Sequence, residues 1–454
     1  MKVRNVLLLV LTTVLLFNCS CQKPQSGQES SSDGEVIEQP VLPSMAYHFS
    51  EASRVDDDVY FVLFVSAQTS ARIAASEYGS ENFEIYTPCF DTVCNHADRL
   101  KCCLATYSGN INMPISVFSY NGEPSIVIFN EDDICFSRPY SNVKVNLVVE
   151  DYVNEPFPTD KAGVLAYLEA RSSAPQRSNP LVYRDYFYYV ELKDGTRTQY
   201  RIPLEGGEPE RVFEEDNIII KTIINDRFYG IKYDVDPENP ENFITDREKI
   251  HYFRSDMNYE NVETLPEILD FFELPIGENF RPVSNVILDS DREYIYVLNQ
   301  KKIWAIPDYD ITAEPILLSD IEGKIPLDLP SLSIYKTWYN DGVLYTVLNT
   351  DQYNRSLLDR QGNSTSSTQW YEISTLYSFD IRTGECNSLD ISSPSYLITD
   401  ILYADEKYVY GEGRYAHDDG RGESGLTMRL TLDTMRYEVI LPDDFFEYSA
   451  ETTS

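Results

Sequence analysis

Residues 184–213 read RDYFYYVELKDGTRTQYRIPLEGGEPERVF. An acidic turn leads into an apolar, Tyr-rich strand; a Gly-containing turn and a second alternating strand follow, and a Gly/Pro-rich break precedes the last short strand. The opening element recurs: DDDVYFVLF (56–64), EDDICFSRP (131–139), NDRFYGIKY (225–233), SDREYIYVL (290–298), NDGVLYTVL (340–348) and ADEKYVYGE (404–412). Each copy has an aspartate at its second position, Asp57, Asp132, Asp185, Asp226, Asp291, Asp341 and Asp405, at intervals of 75, 53, 41, 65, 50 and 64 residues. A strand-and-turn unit repeated at such a period predicts a β-propeller.

The second half of the unit is legible from residue 185 onward. QYRIPLEGGEPERVF (199–213), KIHYFRSDMNYENVETL (249–265), KIWAIPDYDITAEPILL (302–318), TLYSFDIRTGECNSL (375–389) and TMRLTLDTMRYEVIL (427–441) are each strand, turn, strand. That is the hairpin pattern, and two hairpins make a four-stranded blade. The fold class is therefore all-β: a single propeller of seven four-stranded blades over residues 44–454. Six or eight blades are the alternatives, since the 75- and 65-residue intervals leave room for an insertion or a partial blade. In the earlier part of the body, a hairpin at 83–104 completes the first blade and residues 122–135 with 143–150 make the second. Residues 159–173 (TDKAGVLAYLEARSS) read as a short helix inserted outside the ring, with Asp160 at its cap and Leu165 and Leu168 on one face. Residues 266–273 read as a short helix or a packed loop.

Composition agrees. The chain has 34 Tyr and 21 Phe, types that suit half-buried pleated surfaces, and 42% hydrophobic residues, enough for a large core. Its formal charge is −37, or −39 once Lys2 and Arg4 are removed with a leader. Such a surface repels phosphate backbones, so nucleic acid is excluded as a partner; the charge itself speaks to solubility.

The N-terminus predicts export. Lys2 and Arg4 precede an apolar run, 6–17, interrupted at Thr12 and Thr13 and too short to span a bilayer. It ends at Leu16-Phe17-Asn18-Cys19-Ser20-Cys21, with Leu16 three positions before Cys19, as in a bacterial lipobox. Residues 1–18 then form a lipoprotein signal peptide, with Cys19 as the lipid anchor; Cys21 has Asn18 at the equivalent position. Residues 19–43, rich in Gln, Ser, Glu, Gly and Pro, form a disordered tether.

Chemistry-bearing residues are few. Cys89, Cys94, His96, Cys102 and Cys103 cluster within fifteen residues. An exported protein admits disulfides, the ligand types admit a structural metal, and free thiols remain open. His48, His251 and His417 are scattered. Asp234-x-Asp236-x-x-Asn239 alternates oxygen ligands as calcium loops do, but lacks the mid-loop Gly and terminal Glu and carries two prolines. The hydrolase elbow Gly-x-Ser-x-Gly is absent, since Gly422-Glu423-Ser424-Gly425 is followed by Leu426. There is no P-loop, no GxGxxG, no sialidase Asp-box, and no residue set that marks a catalytic or cofactor site.

With these residues in hand, the chain resembles envelope lipoproteins of Gram-positive, clostridia-like bacteria with a TolB-like propeller body. The resemblance rests on Leu16 to Cys19, on residues 186–213, and on CFDTVCNHADRLKC (89–102), which is similar to a Cys-x-Asp-Pro-x-Cys-x-His cluster of such lipoproteins with Thr92 in place of the proline. It implies a propeller on the extracytoplasmic face of the cell membrane and carries over no catalytic residue. The function expected is a binding or protein-interaction module whose partner is an envelope protein or a glycan. The alternatives are a glycan-active enzyme with paired carboxylates in the central channel, and a structural spacer in a surface complex.

Overall fold

The computed structural model describes residues 45–46, 52–65, 70–86, 115–129, 133–141, 143–149, 158–193, 195–234, 250–269, 272–273, 285–299, 302–320, 324, 337–355, 368–417 and 422–440. They build seven sheets. Blade 1 is β1 (Ala52–Val55), β2 (Asp58–Val65) and β3 (Ser70–Glu77); blade 2 is β4 (Ile115–Tyr120), β5 (Glu123–Phe129), β6 (Asp133–Arg138) and β7 (Val143–Val149). Blade 3 is β8 (Gln176–Tyr183), β9 (Tyr186–Lys193), β10 (Thr196–Pro203) and β11 (Glu210–Arg211); blade 4 is β12 (Ile218–Ile224), β13 (Arg227–Tyr233), β14 (Ile250–Asp256) and β15 (Glu263–Thr264). Blade 5 is β16 (Phe272–Glu273), β17 (Asn285–Ser290), β18 (Tyr294–Asn299), β19 (Lys302–Pro307) and β20 (Ile316–Asp320). Blade 6 is β21 (Thr337–Asn340), β22 (Val343–Arg355), β23 (Thr368–Asp380) and β24 (Cys386–Asp390); blade 7 is β25 (Tyr396–Ala404), β26 (Tyr408–Ala416), β27 (Gly422–Thr431) and β28 (Arg436–Ile440). Every pairing within a blade is antiparallel except that of β16 with β17, which is parallel.

Apolar side chains from each blade pack against the next, and this closes the ring. Phe136 and Leu147 meet Val182 and Phe187 between blades 2 and 3, and Leu181 and Tyr188 meet Ile220 and Phe228 between blades 3 and 4. Tyr229 and Ile231 meet Ile287 and Ile306, Leu298 meets Leu344 and Phe379, and Tyr345 meets Ile401 and Leu430 at the following seams. Val59 and Phe61 of blade 1 pack with Leu402 and Tyr410 of blade 7, and β1 runs beside β4. The chain is a seven-bladed propeller. Among the described residues no blade combines strands from the two chain ends, and blade 7 meets blade 1 through side-chain packing and side chain–backbone hydrogen bonds.

Three expectations are corrected. The acidic turn does join the first strand to the second at Asp57, Asp185, Asp226, Asp291, Asp341 and Asp405, but not in blade 2. There the first turn is Asn121–Gly122, at φ 53° and 74°; Asp132 falls outside the described residues, between β5 and β6. A tight hairpin turn needs two left-handed residues, which Asn-Gly supplies as well as an Asp copy. Counted from Gly122, the first two intervals become 65 and 63 residues, close to those at 226 and 341. Second, blade 1 takes β3 as its third strand, with an isolated bridge of Ala75 to Tyr86 at the fourth position. The hairpin expected at 83–104 is therefore not the second half of the blade; residues 87–104 lie outside the described residues. Third, blade 5 has five strands, because β16 adds to the first-strand edge of β17.

In the two three-residue turns, 291–293 and 405–407, the recurring aspartate caps the turn. Asp291 Oδ1 accepts from the amides of Glu293 and Tyr294 (2.8 and 2.7 Å), and Asp405 Oδ1 accepts from Lys407 and Tyr408 (both 2.8 Å). The asparagine before it links blades: Asn225 Nδ2 donates to Asp291 O (2.8 Å) and Asn340 Nδ2 to Ala404 O (3.2 Å). Helix α1 (Lys161–Ser173) is capped by Asp160, whose Oδ1 accepts from Gly163 N at 3.0 Å, and leaves Leu165 and Leu168 exposed.

Candidate functional site

The two faces of the ring differ. Connections between the first and second strands and between the third and fourth strands lie on one face, and none of those between described strands exceeds eight residues. The remaining connections lie on the other face. The strands joined through residues 87–114, 150–175, 234–249, 321–336 and 356–367, every connection of twelve residues or more, end and begin at that face. We call these the turn face and the loop face. On the loop face β22 and β23 extend well beyond the other strands of their blade. The extension packs against blade 7: Trp370 is buried with Leu397 and Ala416, Arg355 lies over its ring at 4.7 Å, and Asn349 Nδ2 donates to Ile398 O.

The centre of the ring is edged by the first strand of each blade; β8 and β12, β21 and β25, and β1 with both β4 and β25 approach one another there. Four of these strands bulge, at 178/181, 220/222, 287/289 and 398/400. Their central edges are partly taken by other chain: β16 on β17, and Met45–Ala46 on β12. In strands β1, β4, β8, β12, β17, β21 and β25, Asp289 and Asp400 are the carboxylates. Asp289 Oδ2 accepts from Tyr339 Oη (2.5 Å) and Arg382 Nη2 (3.2 Å), which commits it to the packing of blade 5 on blade 6. Asp400 is buried at the β25 bulge.

The two described histidines, His251 and His417, do not converge, and His48 lies outside the described residues. His251 Nε2 lies 3.3 Å from Asp234 Oδ2 across the β13–β14 hairpin, with both groups more than half exposed. His417 Nε2 lies 3.4 Å from Glu423 Oε1 across the β26–β27 hairpin, and its ring meets Tyr415 edge-on. Both pairs sit on the loop face, one in blade 4 and one in blade 7. Among the described residues no group of three His, Cys, Asp or Glu is placed to hold a metal. Asp236 and Asn239, Cys19, Cys89, Cys94, His96, Cys102 and Cys103 lie outside the described residues, the cysteine cluster within the connection from blade 1 to blade 2. Of the other cysteines, Cys135 is buried with its Sγ donating to Asn146 Oδ1 (3.3 Å), and burial pushes the Cys386 thiol up.

The turn face carries charge already committed to structure. Arg254 Nη1 donates to Asp308 O (2.7 Å) and Oδ1 (3.2 Å), Tyr229 Oη to Oδ1 (3.0 Å), and Asn225 Nδ2 to Oδ2 (3.0 Å). Burial and the Asp308 carboxylate raise the Tyr229 phenol well above its ordinary range. Arg254 also pairs with Glu263, its partner across β14 and β15. The same cross-strand pair recurs as Arg201–Glu210 in blade 3 and Arg429–Glu438 in blade 7. Arginine precedes glutamate by nine positions in all three, a spacing visible in the sequence but unremarkable without the register.

No known protein family matches the chain, and no curated protein matches it. Solved structures do. The propeller domain of the Trilobed protease from Pyrococcus furiosus, described as having an open velcro topology, matches at 13% identity and TM-score 0.36, over 87% of this chain and 97% of that one. A prolyl endopeptidase matches at 8% identity and TM-score 0.40 over 89% of this chain; this chain spans 50% of that protein's length. TolB from Acinetobacter baumannii matches at 9% identity and TM-score 0.30, over 85% of this chain and 77% of that one. No activity carries over at these identities, and the fold rests on the strand pairing itself.

Proposed function

We propose that this chain is an interaction module of the cell envelope, attached to the outer side of the cell membrane by a lipid on Cys19 and contacting its partner through the loop face. One observation carries the reading: every connection of twelve residues or more leaves from and returns to strand ends on that face, while the strand ends on the other are joined by short turns. A rigid ring with variable segments on one side is how binding surfaces are built on stable frames. The partner is an envelope protein or a cell-surface glycan. The described first strands favour binding over turnover: they offer two carboxylates, one of them held by Tyr339 and Arg382.

The test is a screen of thermal stability of the mature chain against cell-wall glycans and envelope proteins. A partner at a hundred times its Kd adds about 2.7 kcal/mol to stability. The shift should disappear in a variant whose residues 356–367 are replaced by an Asn-Gly turn joining β22 to β23, and in matching deletions of the other loop-face connections. A shift that survives every loop-face deletion, or turnover of the bound glycan, overturns the reading.

A further inference from the structure

The first described residues of the body show how the chain approaches the ring. Met45 makes an antiparallel bridge to Ile224, and Ala46 N donates to Ile223 O at 2.8 Å. The other edge of β12 is already paired with β13 through Ile224 and Arg227. The bridge must therefore use the edge that faces the centre of the ring. Ala46 is 4% exposed among Leu181, Tyr183, Ile223 and Phe228, and Met45 packs on the cluster between blades 4 and 5.

The sense of the pairing fixes a direction. β12 runs from the loop face to the turn face, ending at the Asn225–Asp226 turn. An antiparallel partner runs the opposite way, so the chain at Met45 comes from the turn face and heads toward the loop face. Ala52 then opens β1 at the loop face. Met45, at the turn-face end of β12, and Ala52, at the loop-face start of β1, thus lie at opposite faces.

We infer that the chain joins the propeller through the centre of its turn face, so that the turn face looks toward the membrane and the loop face looks away from it. This rests on the proposed anchoring at Cys19. The tether expected from composition, some 25 residues of coil, would span about 28 Å end to end, and seven residues of strand separate the two faces by about 23 Å. With Met45 entering at the centre of one face, an anchor at Cys19 would keep that face nearer the bilayer on average. The long connections are then presented to partners in the wall or beyond it rather than to lipid headgroups.

The experiment uses the full chain, acylated at Cys19 and bound to vesicles that contain an acceptor dye on a lipid headgroup. A fluorescent non-natural residue is placed at Thr434, in the β27–β28 turn, or at Gln352, near the loop-face end of β22. Energy transfer should be greater from position 434 by about twofold. Ala46→Asp, which puts a charge into the apolar seat, should bring the two values together in a protein that is still folded by circular dichroism. Equal transfer from the two positions in the unmodified chain, or greater transfer from 352, overturns the inference. The same pair is measured with the chain held through biotin at residue 19 on a streptavidin surface labelled with acceptor. Failure of the acylated chain to bind vesicles would remove the lipid reading, and the biotin comparison would still decide the orientation.

Discussion

Glu438 holds blade 7 to blade 1, and its removal should cost more than the loss of either equivalent glutamate. Its Oε2 accepts from Arg429 Nη2 (2.6 Å) and Nε (3.1 Å), while Oε1 accepts from Phe83 N of blade 1 (3.0 Å) and faces Arg436 Nη2 (3.2 Å). Arg429 in turn donates to Ser80 Oγ (3.3 Å) and sits over the Phe83 ring at 5.4 Å. The Arg429 side chain is 1% exposed and that of Glu438 13%. Glu438→Gln keeps the shape and one acceptor but leaves a buried guanidinium without its counter-charge, which costs about 3 kcal/mol. Over a body of roughly 400 residues, with an unfolding entropy near 2.1 cal/mol/K per residue, that lowers Tm by about 4 °C.

Two internal controls set the scale. Glu263 is 54% exposed and its Arg254 keeps Asp308, so Glu263→Gln should cost about 1 kcal/mol. Arg201 and Glu210 are 33% and 50% exposed, and Glu210→Gln should cost under about 1 kcal/mol. Calorimetry gives the ranking, and hydrogen exchange gives the place: amides of β1 and β27 should lose protection in Glu438→Gln before those of blade 4. Equal shifts from the three substitutions would refute the argument, because the motif would then act by its chemistry and not by its burial at the seam.

Other outcomes follow from single residues. Burial opposes ionisation of Asp291, but hydrogen bonds from Tyr296 Oη and the amides of Tyr294 and Glu293 outweigh it and hold the carboxyl below the usual aspartate range. A depressed carboxyl contributes stability above its unfolded value, near about 3.9, and loses it as pH falls through the folded value. Asp291→Asn should therefore be less stable than the parent at neutral pH, with the gap in Tm closing as pH falls toward about 2. Burial pushes the phenols of Tyr188, Tyr296 and Tyr345 up to about 12 and those of Tyr60 and Tyr339 further. A raised phenol contributes stability that is complete below about 10 and lost as pH rises above it, so phenolate absorbance should show a cooperative step that coincides with loss of circular dichroism. Gly230 lies opposite the β12 bulge, where a Cβ would press on the Ile219 carbonyl oxygen and the Phe253 ring; Gly230→Ala should cost about 2 kcal/mol in denaturant unfolding.

The fold was legible because its signal is local and repeated. SDREYIYVL and ADEKYVYGE announce a capped turn followed by a buried strand, and the structure shows Asp291 and Asp405 binding the amides that make each turn close. Blade 2 misled because Asn121–Gly122 does the same work without an acid, which moved the apparent repeat one hairpin along. The seam was not legible at all. Arg429 and Glu438 sit nine positions apart in a chain with 74 acids, and only the register of β27 with β28, and the placing of Ser80 and Phe83 beside them, gives the pair meaning. Likewise, nothing in the residues around Met45 and Ala46 marks them as the partner of a strand some 180 positions away. The long connections could be counted in advance, but that the strand ends they join share one face is a property of the up-and-down strand order and not of their composition.

The most direct test of a loop-face interaction module is photo-crosslinking on intact producing cells, with a photoreactive residue at Gln352 on the loop face or at Thr434 on the turn face. The account predicts one discrete adduct from position 352, lost when the connections of the loop face are deleted, and none from position 434. A discrete adduct from position 434 with none from 352 would contradict it.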